Sequence, residues 1–487
     1  MITGEIMARE IKKGFMGGQY KPLSAYDVGR IHETAFRILE EIGVQVELKE
    51  ALDIFERGGA KVDRGEKIVK ISSELVEEMV GSAPSKIVLG GREKENDLVL
   101  EGTRVHMGTG GAALNVIDVD SGEKRKGTLR DIADIAKLTD ALDNIHFFVR
   151  PCIAQDIPID DLIVNQFYAA LSNTTKHVMS GCDRVEKVEE VVEIAELIAG
   201  GELRDRPPIS FITSWMDSPL CFATDITKVL IEVVKEGLPA ILSSAPMTGL
   251  TSPITLAGTL TQLHAEELSG IVLTQLINPG APVVYGGIPS MVDMHNLRFI
   301  AGGVEFGMMN AAISQLSQSI GLPNYNSAGI TDASIPDIQA VYEKAYSICQ
   351  CALSGSNLIH HAAGMLESLL TVDYGLYVID NEIIGMAMRG VRGIEVNEDT
   401  LALDEIKEVG PGGDYLRSKH TRRHMRTEFF EPMLASREER GDKAIQGLGG
   451  IRELAKSKAK EALNTHTPTG IDPEVDKRIR ERLNILM

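Results

Sequence analysis

The sequence predicts an α/β protein built on a (β/α)8 TIM barrel, with an α+β unit before it and a helical extension after it. Three observations lead there. From about residue 103, short apolar runs alternate with amphipathic stretches of roughly 12–20 residues, the βα signature. The runs number eight, at 104–108, 145–150, 176–180, 209–214, 239–243, 282–285, 322–326 and 357–361. Each breaks at its end into small or polar residues, as strands do where they reach the chemically active C-terminal face of such a barrel. An open doubly wound sheet usually has fewer strands and a phosphate-binding first turn. Here Gly108-Thr-Gly-Gly-Ala-Ala113 lacks the third glycine of the dinucleotide fingerprint and runs into another strand-like stretch at 114–118.

Taken in order, residues 1–100 form the α+β unit. The first ten residues lack the apolar core of a signal peptide, and no charge-free apolar run reaches the ~20 residues of a bilayer span, so a cytoplasmic protein without a membrane partner is expected. Ser24 can cap a helix with the apolar face Ile31, Ala35, Ile38, Leu39 and Ile42, ended by Gly43. A second helix near 48–57 ends at Gly58-Gly59, residues 67–71 alternate like a strand, Ser72 or Ser73 starts a short helix, and 86–89 resumes strand character. The barrel occupies 101–385. Thr128 and Asp131 form a capping box ahead of Ile132, Ile135, Ala136 and Leu142, and Asp183 is placed to cap the helix carrying Val188, Val191, Ala195 and Ile198. Residues 386–487 read as charged helices packed on the barrel, with Gly-Pro-Gly-Gly at 410–413. The basic cluster His420, Arg422, Arg423, His424 and Arg426 reads either as an ion-paired helix face or as a contact to a carboxylate or an acidic partner.

Composition narrows the partners. Seventy acidic against fifty basic side chains leave a net charge of −20, which argues against nucleic acid and anionic membranes. Five scattered cysteines, Cys152, Cys182, Cys221, Cys349 and Cys351, contain no Cys-x-x-Cys pair and read as small buried hydrophobes. No converging set of metal ligands is indicated, so no metal is expected.

The barrel rule assigns candidates to the strand ends: Thr109-Gly110-Gly111, Arg150, Ser180-Gly181, Thr213-Ser214-Trp215, Ser243-Ser244, Tyr285-Gly286-Gly287, Asn326-Ser327 and His360-His361. Most are small or neutral. The carboxylates Asp217, Glu305 and Asp332 read more readily as helix caps or solvated groups than as an acid/base pair. Rim aromatics are more suggestive. Phe147 or Phe148, Trp215, Tyr285 and Tyr325 lie on or beside four strands, and several ring faces around one cavity would attract a quaternary ammonium by about 0.5–2 kcal/mol each. Asp293-Met-His295 has the start of a cobalamin-binding Asp-x-His-x-x-Gly motif, but Arg298 stands where the glycine belongs.

At this point four stretches resemble the trimethylamine methyltransferase superfamily, in its non-pyrrolysine branch of quaternary-amine (betaine-type) methyltransferases. They are His106-Met-Gly-Thr-Gly-Gly-Ala-Ala-Leu-Asn-Val-Ile-Asp118, Ser327-Ala-Gly-Ile-Thr-Asp-Ala-Ser-Ile-Pro-Asp337 with Gln339-Ala340, Gly355-Ser-Asn-Leu-Ile-His360, and Lys419-His-Thr-Arg-Arg-His-Met-Arg-Thr-Glu428. The resemblance spans Tyr20 to the C-terminus. It implies a barrel enzyme, often oligomeric, that hands a methyl group to Co(I) of a corrinoid carried by a separate partner protein, so this chain alone would hold no cofactor. Archaeal members carry pyrrolysine in the stretch matching 326–334, and Asn326 to Ser334 here contain only standard residues.

For glycine betaine, proline betaine, carnitine or a relative, the resemblance leads to a substrate-binding set. Arg150, His360 and His361 are candidates for the carboxylate. Phe148, Trp215, Tyr285 and Tyr325 are candidates for the ammonium, and Thr109, Ser244 and Asn326 for further hydrogen bonds. Strand alternation lets only one of His360 and His361 face the barrel axis, and the family motif favours His360. Two other classes stay open: a metal-dependent barrel lyase or hydrolase using the histidines with Asp332 or Glu305, and a non-catalytic small-molecule binder.

Overall fold

A computed structural model describes residues 13–201, 203, 205–435, 437 and 450–487. The first ten residues, read above for a targeting signal, lie outside them. Eight parallel strands fall within or beside the eight apolar runs: β1 (Arg104–Thr109), β2 (Phe147–Val149), β3 (His177–Gly181), β4 (Ile209–Thr213), β5 (Ala240–Leu242), β6 (Val283–Val284), β7 (Tyr325–Ser327) and β8 (Leu358–Ala363). They pair in the order β6-β5-β4-β3-β2-β1-β8-β7. The remaining seam, between β6 and β7, is bridged at Tyr285 and Asn324, with Tyr325 N–H donating to Tyr285 O at 2.8 Å.

Each strand leads into an outer helix: α1 (Leu129–Asp140), α2 (Leu162–Asn173), α3 (Glu186–Ala199), α4 (Thr224–Lys235), α5 (Leu256–Ile277), α6 (Val304–Ser319), α7 (Ile338–Ser354) and α8 (Tyr374–Arg392). The Thr128–Asp131 capping box starts α1 as expected. Asp183 does not cap α3. That helix begins at Glu186 after Val185, without a side-chain cap, and Asp183 faces the cavity described below.

One end of the barrel is stoppered. Strands Lys86–Leu89 and Leu98–Glu101 form a hairpin whose Ile87, Leu89, Leu98 and Leu100 share one apolar cluster with the inward-facing Phe147, Val149, Met179, Ile241, Val284, Tyr325 and Leu358. Gly90 N–H donates to Pro207 O, just ahead of β4, which places the hairpin at the N-terminal ends of the strands. Phe147 reaches across the interior because β1 has glycine opposite it; a Cβ on Gly108 would lie 2.1 Å from the ring. With the hairpin filling the barrel interior at that end, the interior is open towards the C-terminal face.

The residues before the barrel share its core rather than forming a separate one. Ser24 caps Ala25–Arg37 as predicted, and this helix packs on α5, while strand Val44–Val46 pairs with Cys221–Phe222 beyond β4. After the barrel, Gly450–Thr465 packs on α8 and α1 through buried Ala455 and Ala459, and Pro473–Arg482 packs on α3 through Ile479. No helix of the described residues is long and apolar enough to cross a membrane.

Candidate active site

A cavity of about 370 Å³ opens at the C-terminal face. Its walls come from the ends of β1–β5, β7 and β8 and from α2. Val149, Ile163, Ile212, Ile226, Ile288 and Leu369 make them mostly aliphatic, with Arg150, Asp183, Tyr325, His360 and His361 as the polar exceptions beside several serines.

Arg150 is the one cation on this wall. Its Nη1 donates to Gln166 Oε1 at 2.6 Å, and Gln166 is aimed by donating to Ser180 Oγ and Gly181 O, both at 3.2 Å. Burial lowers the guanidinium pKa, yet from a starting value this high the group stays charged at any working pH. Among the described residues Arg150 forms no ion pair. The guanidinium is half-buried, and without an ion pair it leaves charge for an anion arriving in the cavity to share.

The two histidines form a stack, with ring centroids 3.5 Å apart and planes 20° from parallel. Both line the cavity, which corrects the expectation that only one could. His361 has φ +65°, and the β8–β1 register shifts between Ile359 and Ala363. That left-handed residue breaks strand alternation and turns the second ring to the same side. Burial drives both imidazoles to the neutral form, holding His360 well below its usual value and His361 at about 3, with the Lys344 ammonium adding to the effect on His361. Tyr325 Oη bonds His360 Nδ1, and Ser327 Oγ sits 2.8 Å from His361 Nδ1. His360 Nε2 is buried without a hydrogen-bond partner among the described residues. When the phenol donates to Nδ1, the neutral ring carries its proton on Nε2 and offers a donor to whatever occupies the cavity.

Of the ten sequence candidates, the structure brings Arg150, Tyr325, His360 and His361 together. The other six do not line the cavity. Phe148 faces outward into the helix layer, since its neighbours Phe147 and Val149 take the inward positions. Trp215 is fully buried under α5 and edge-on to Phe222, where glycine at 270 makes room for the indole. Tyr285 also points outward, its hydroxyl 2.8 Å from His264 Nδ1. Thr109 Oγ1 is consumed between β1 and β2, donating to Val149 O and accepting from Val149 N–H. Ser244 is held by Glu266 and Glu267, and Asn326 donates to Asn310 O. The aromatic cage expected for an ammonium therefore reduces to Tyr325 and aliphatic walls.

Asp332 accepts from Ala301 and Gly302 N–H and from Ser368, which makes it a loop organiser. Neither it nor Glu305 lines the cavity. Among the described residues no group of three or more His, Cys, Asp or Glu side chains is placed to hold a metal ion. Cys182 does line the cavity, but burial pushes its thiol up to about 11, so it is not a ready nucleophile. The basic cluster at 420–426 lies elsewhere, with Arg423 and His424 paired to Asp399. The strand-end rule could not reveal Gln166, Ile163 or Leu369, because they sit on helices or loops.

The family described as trimethylamine methyltransferase (MTTB) matches residues 4–484. A trimethylamine methyltransferase MttB of Desulfitobacterium hafniense (strain DSM 10664 / DCB-2) is 39% identical over 452 residues, covering 92% of this chain and 90% of that protein. A glycine betaine methyltransferase of Desulfitobacterium hafniense (strain Y51) is 34% identical over 469 residues, covering 95% and 96%. The crystal structure of the Methanosarcina barkeri monomethylamine methyltransferase aligns over 93% of this chain and 96% of that one, with 12% identity and a TM-score of 0.47.

Proposed function

The chain belongs to the trimethylamine methyltransferase family, and on that premise we propose that it transfers a methyl group from a betaine-class quaternary amine to Co(I) of a corrinoid carried by a partner protein. The observation that carries the betaine reading is Arg150: a half-buried guanidinium with no ion pair among the described residues, in a mostly aliphatic wall whose one carboxylate, Asp183, is exposed. A carboxylate-bearing substrate completes it with a charge-assisted pair. His360 lines the same cavity, and its Nε2, without a partner among the described residues, is our candidate for a second donor.

The reaction asks little acid or base chemistry of the protein. The electron pair of Co(I) forms the Co–CH3 bond as the C–N bond breaks, and nitrogen leaves with the bonding pair as a neutral tertiary amine. No proton moves, which suits two imidazoles held neutral and a wall without a buried acid. What the protein contributes is position: the carboxylate anchored at Arg150, the methyls against Val149, Ile212 and Ile288, and one N–CH3 facing the mouth where the acceptor arrives.

The higher identity to a trimethylamine enzyme favours a second reading, with trimethylamine as substrate. Arg150 weighs against it. A trimethylammonium ion has no carboxylate for the guanidinium and adds a second positive charge to the pocket. The test is purified protein with Co(I) cobalamin and, separately, glycine betaine, proline betaine, carnitine and trimethylamine, followed by the absorbance of methylcobalamin. Methylation by at least one betaine and not by trimethylamine is the expected result; turnover of trimethylamine alone would overturn the reading.

A further inference from the structure

Behind the histidines lies a buried ion pair that the transfer step does not use. Lys344 on α7 and Asp380 on α8 are both fully buried, with Nζ 3.2 Å from Oδ2. The ammonium also donates to Gly329 O and, at 3.4 Å, to Met365 O. Asp380 Oδ2 accepts from Gly364 N–H at 2.7 Å. Gly329 lies just past β7 and Gly364 just past β8, and both are left-handed, at φ +78° and +89°.

Between those two glycines run the residues that carry the imidazoles. A Cβ on Gly329 would lie 2.8 Å from Ala362 Cα and 3.0 Å from His361 O, so the two turns are in direct backbone contact. On the other side, a Cβ on Gly364 would lie 2.2 Å from the Tyr377 ring of α8. The left-handed His361 sits inside this packing, and its conformation depends on where the two turns are held. Stability alone is a poor reason for such a pair, because apolar residues of similar volume often replace a buried ion pair at no cost.

We propose that Lys344 and Asp380 are positioning residues that clamp the turns after β7 and β8 together and thereby set the orientation of the His360–His361 stack in the pocket. The consequence for turnover rests on the betaine reading; the consequence for the imidazoles does not. Lys344→Met/Asp380→Leu removes the clamp and both charges while filling the space. It is expected to fold with a Tm within about 5 °C of the wild type. In the substrate-free protein, the histidine Cε1–H NMR resonances of His360 and His361 move, while that of His177, which bonds Gly90 O at the opposite end of the barrel, stays in place. With the betaine that the wild type accepts, kcat/KM falls about tenfold or more, mostly through KM.

Asp380→Asn is the milder companion. It keeps an acceptor for Gly364 N–H and is expected to shift the same resonances by less, with kcat/KM down about threefold. If the double variant does not fold, this variant alone decides. Unmoved His360 and His361 resonances in a folded variant overturn the proposal, as do moved resonances with wild-type kcat/KM in an enzyme that turns over a betaine. Moved resonances in a protein that methylates cobalamin with no betaine leave the clamp standing and remove the substrate reading instead.

Discussion

The rim of this barrel has two unlike halves. Around β1–β3 and β8 the strand ends stand apart and leave a cavity with Arg150, His360 and His361 in its wall. Beyond β4–β6 the space behind the strand ends is filled. Glu266 and Glu267 of α5 reach in to hold Ser244, Ser218 and Gly286, while Trp215 and Tyr285 pack under the same helix. Both halves present polar and aromatic residues at strand ends, so residue type does not distinguish them. What differs is whether the polar atoms find partners within the protein. In the filled half Ser218, Ser244, Gly286 and the Tyr285 hydroxyl find partners and only the Trp215 Nε1 among these groups does not, whereas in the open half Arg150 lacks a counter-ion among the described residues and His360 Nε2 lacks a partner.

The largest expected effect is shared by the two halves and sets working conditions for the rest. His106, His146, His177, His264, His360 and His361 are all buried and held below their ordinary pKa by burial, His106 and His177 at about 4 and His264 and His361 at about 3. The unfolded chain therefore binds more protons than the folded one below about pH 6.5. The stability these neutral rings contribute is complete above that pH and is lost as pH falls towards 3–4, by about 1.4 kcal/mol per ring per pH unit. Buried carboxyls oppose this: Asp380 is raised to about 6, and Glu266 and Glu267 are raised too, so the folded state gains from their protonation. Asp373 is raised by burial as well; six rings against four carboxyls leave a net loss, and thermal scans should show Tm dropping between pH 6.5 and 5. A flat Tm over that range would mean that the rings are hydrated.

Trp215→Ala comes next and probes the filled half. Removing a fully buried indole should cost about 3–5 kcal/mol of stability, read by denaturant unfolding, with the betaine KM changed less than about twofold. A large KM effect in a folded variant would erase the distinction between the halves. Arg150→Met tests the open half. It should leave stability near the wild type, because a half-buried charge without an ion pair is removed, and lower kcat/KM about 100-fold, within the 2–5 kcal/mol that a desolvated charge pair commands. Unchanged kinetics with a carboxylate substrate would remove Arg150 from the site.

The barrel was legible because its signal is repeated: eight apolar runs, each ending in small or polar residues, need only a period to be recognised. The site was legible in part. Arg150, Tyr325, His360 and His361 lie at strand ends and line the cavity, but the strand-end rule also selected Trp215, Tyr285, Thr109, Ser244 and Asn326, and the search for rim aromatics selected Phe148, none of which does. For Phe148 and Asn326 the reason is parity, since the preceding Phe147 and Tyr325 face the interior and alternation sends the next side chain outward. A one-residue error in strand register makes inside and outside indistinguishable from sequence. His361 is the opposite case, because a single positive φ carries it back into the wall. Gln166 and the Lys344–Asp380 pair stayed hidden because helices deliver them from residues distant in sequence, and no local motif records that meeting.

The finest test applies one chemical change to both halves. Tyr285→Phe and Tyr325→Phe each delete a hydroxyl that touches an imidazole, at His264 and His360 respectively. In the filled half the loss is one satisfied hydrogen bond, worth about 1 kcal/mol, and turnover should not change. In the open half the same deletion frees the proton of His360 to move between Nδ1 and Nε2, so the donor that the proposed betaine carboxylate would use is present only part of the time. A threefold rise in the betaine KM, about 0.7 kcal/mol, is expected with kcat nearly constant. The 15N shifts of His360 should show the accompanying change of tautomer. Equal kinetic effects from the two substitutions would mean that the imidazoles on both sides of the barrel reach the substrate, which a satisfied His264 behind a closed wall cannot do.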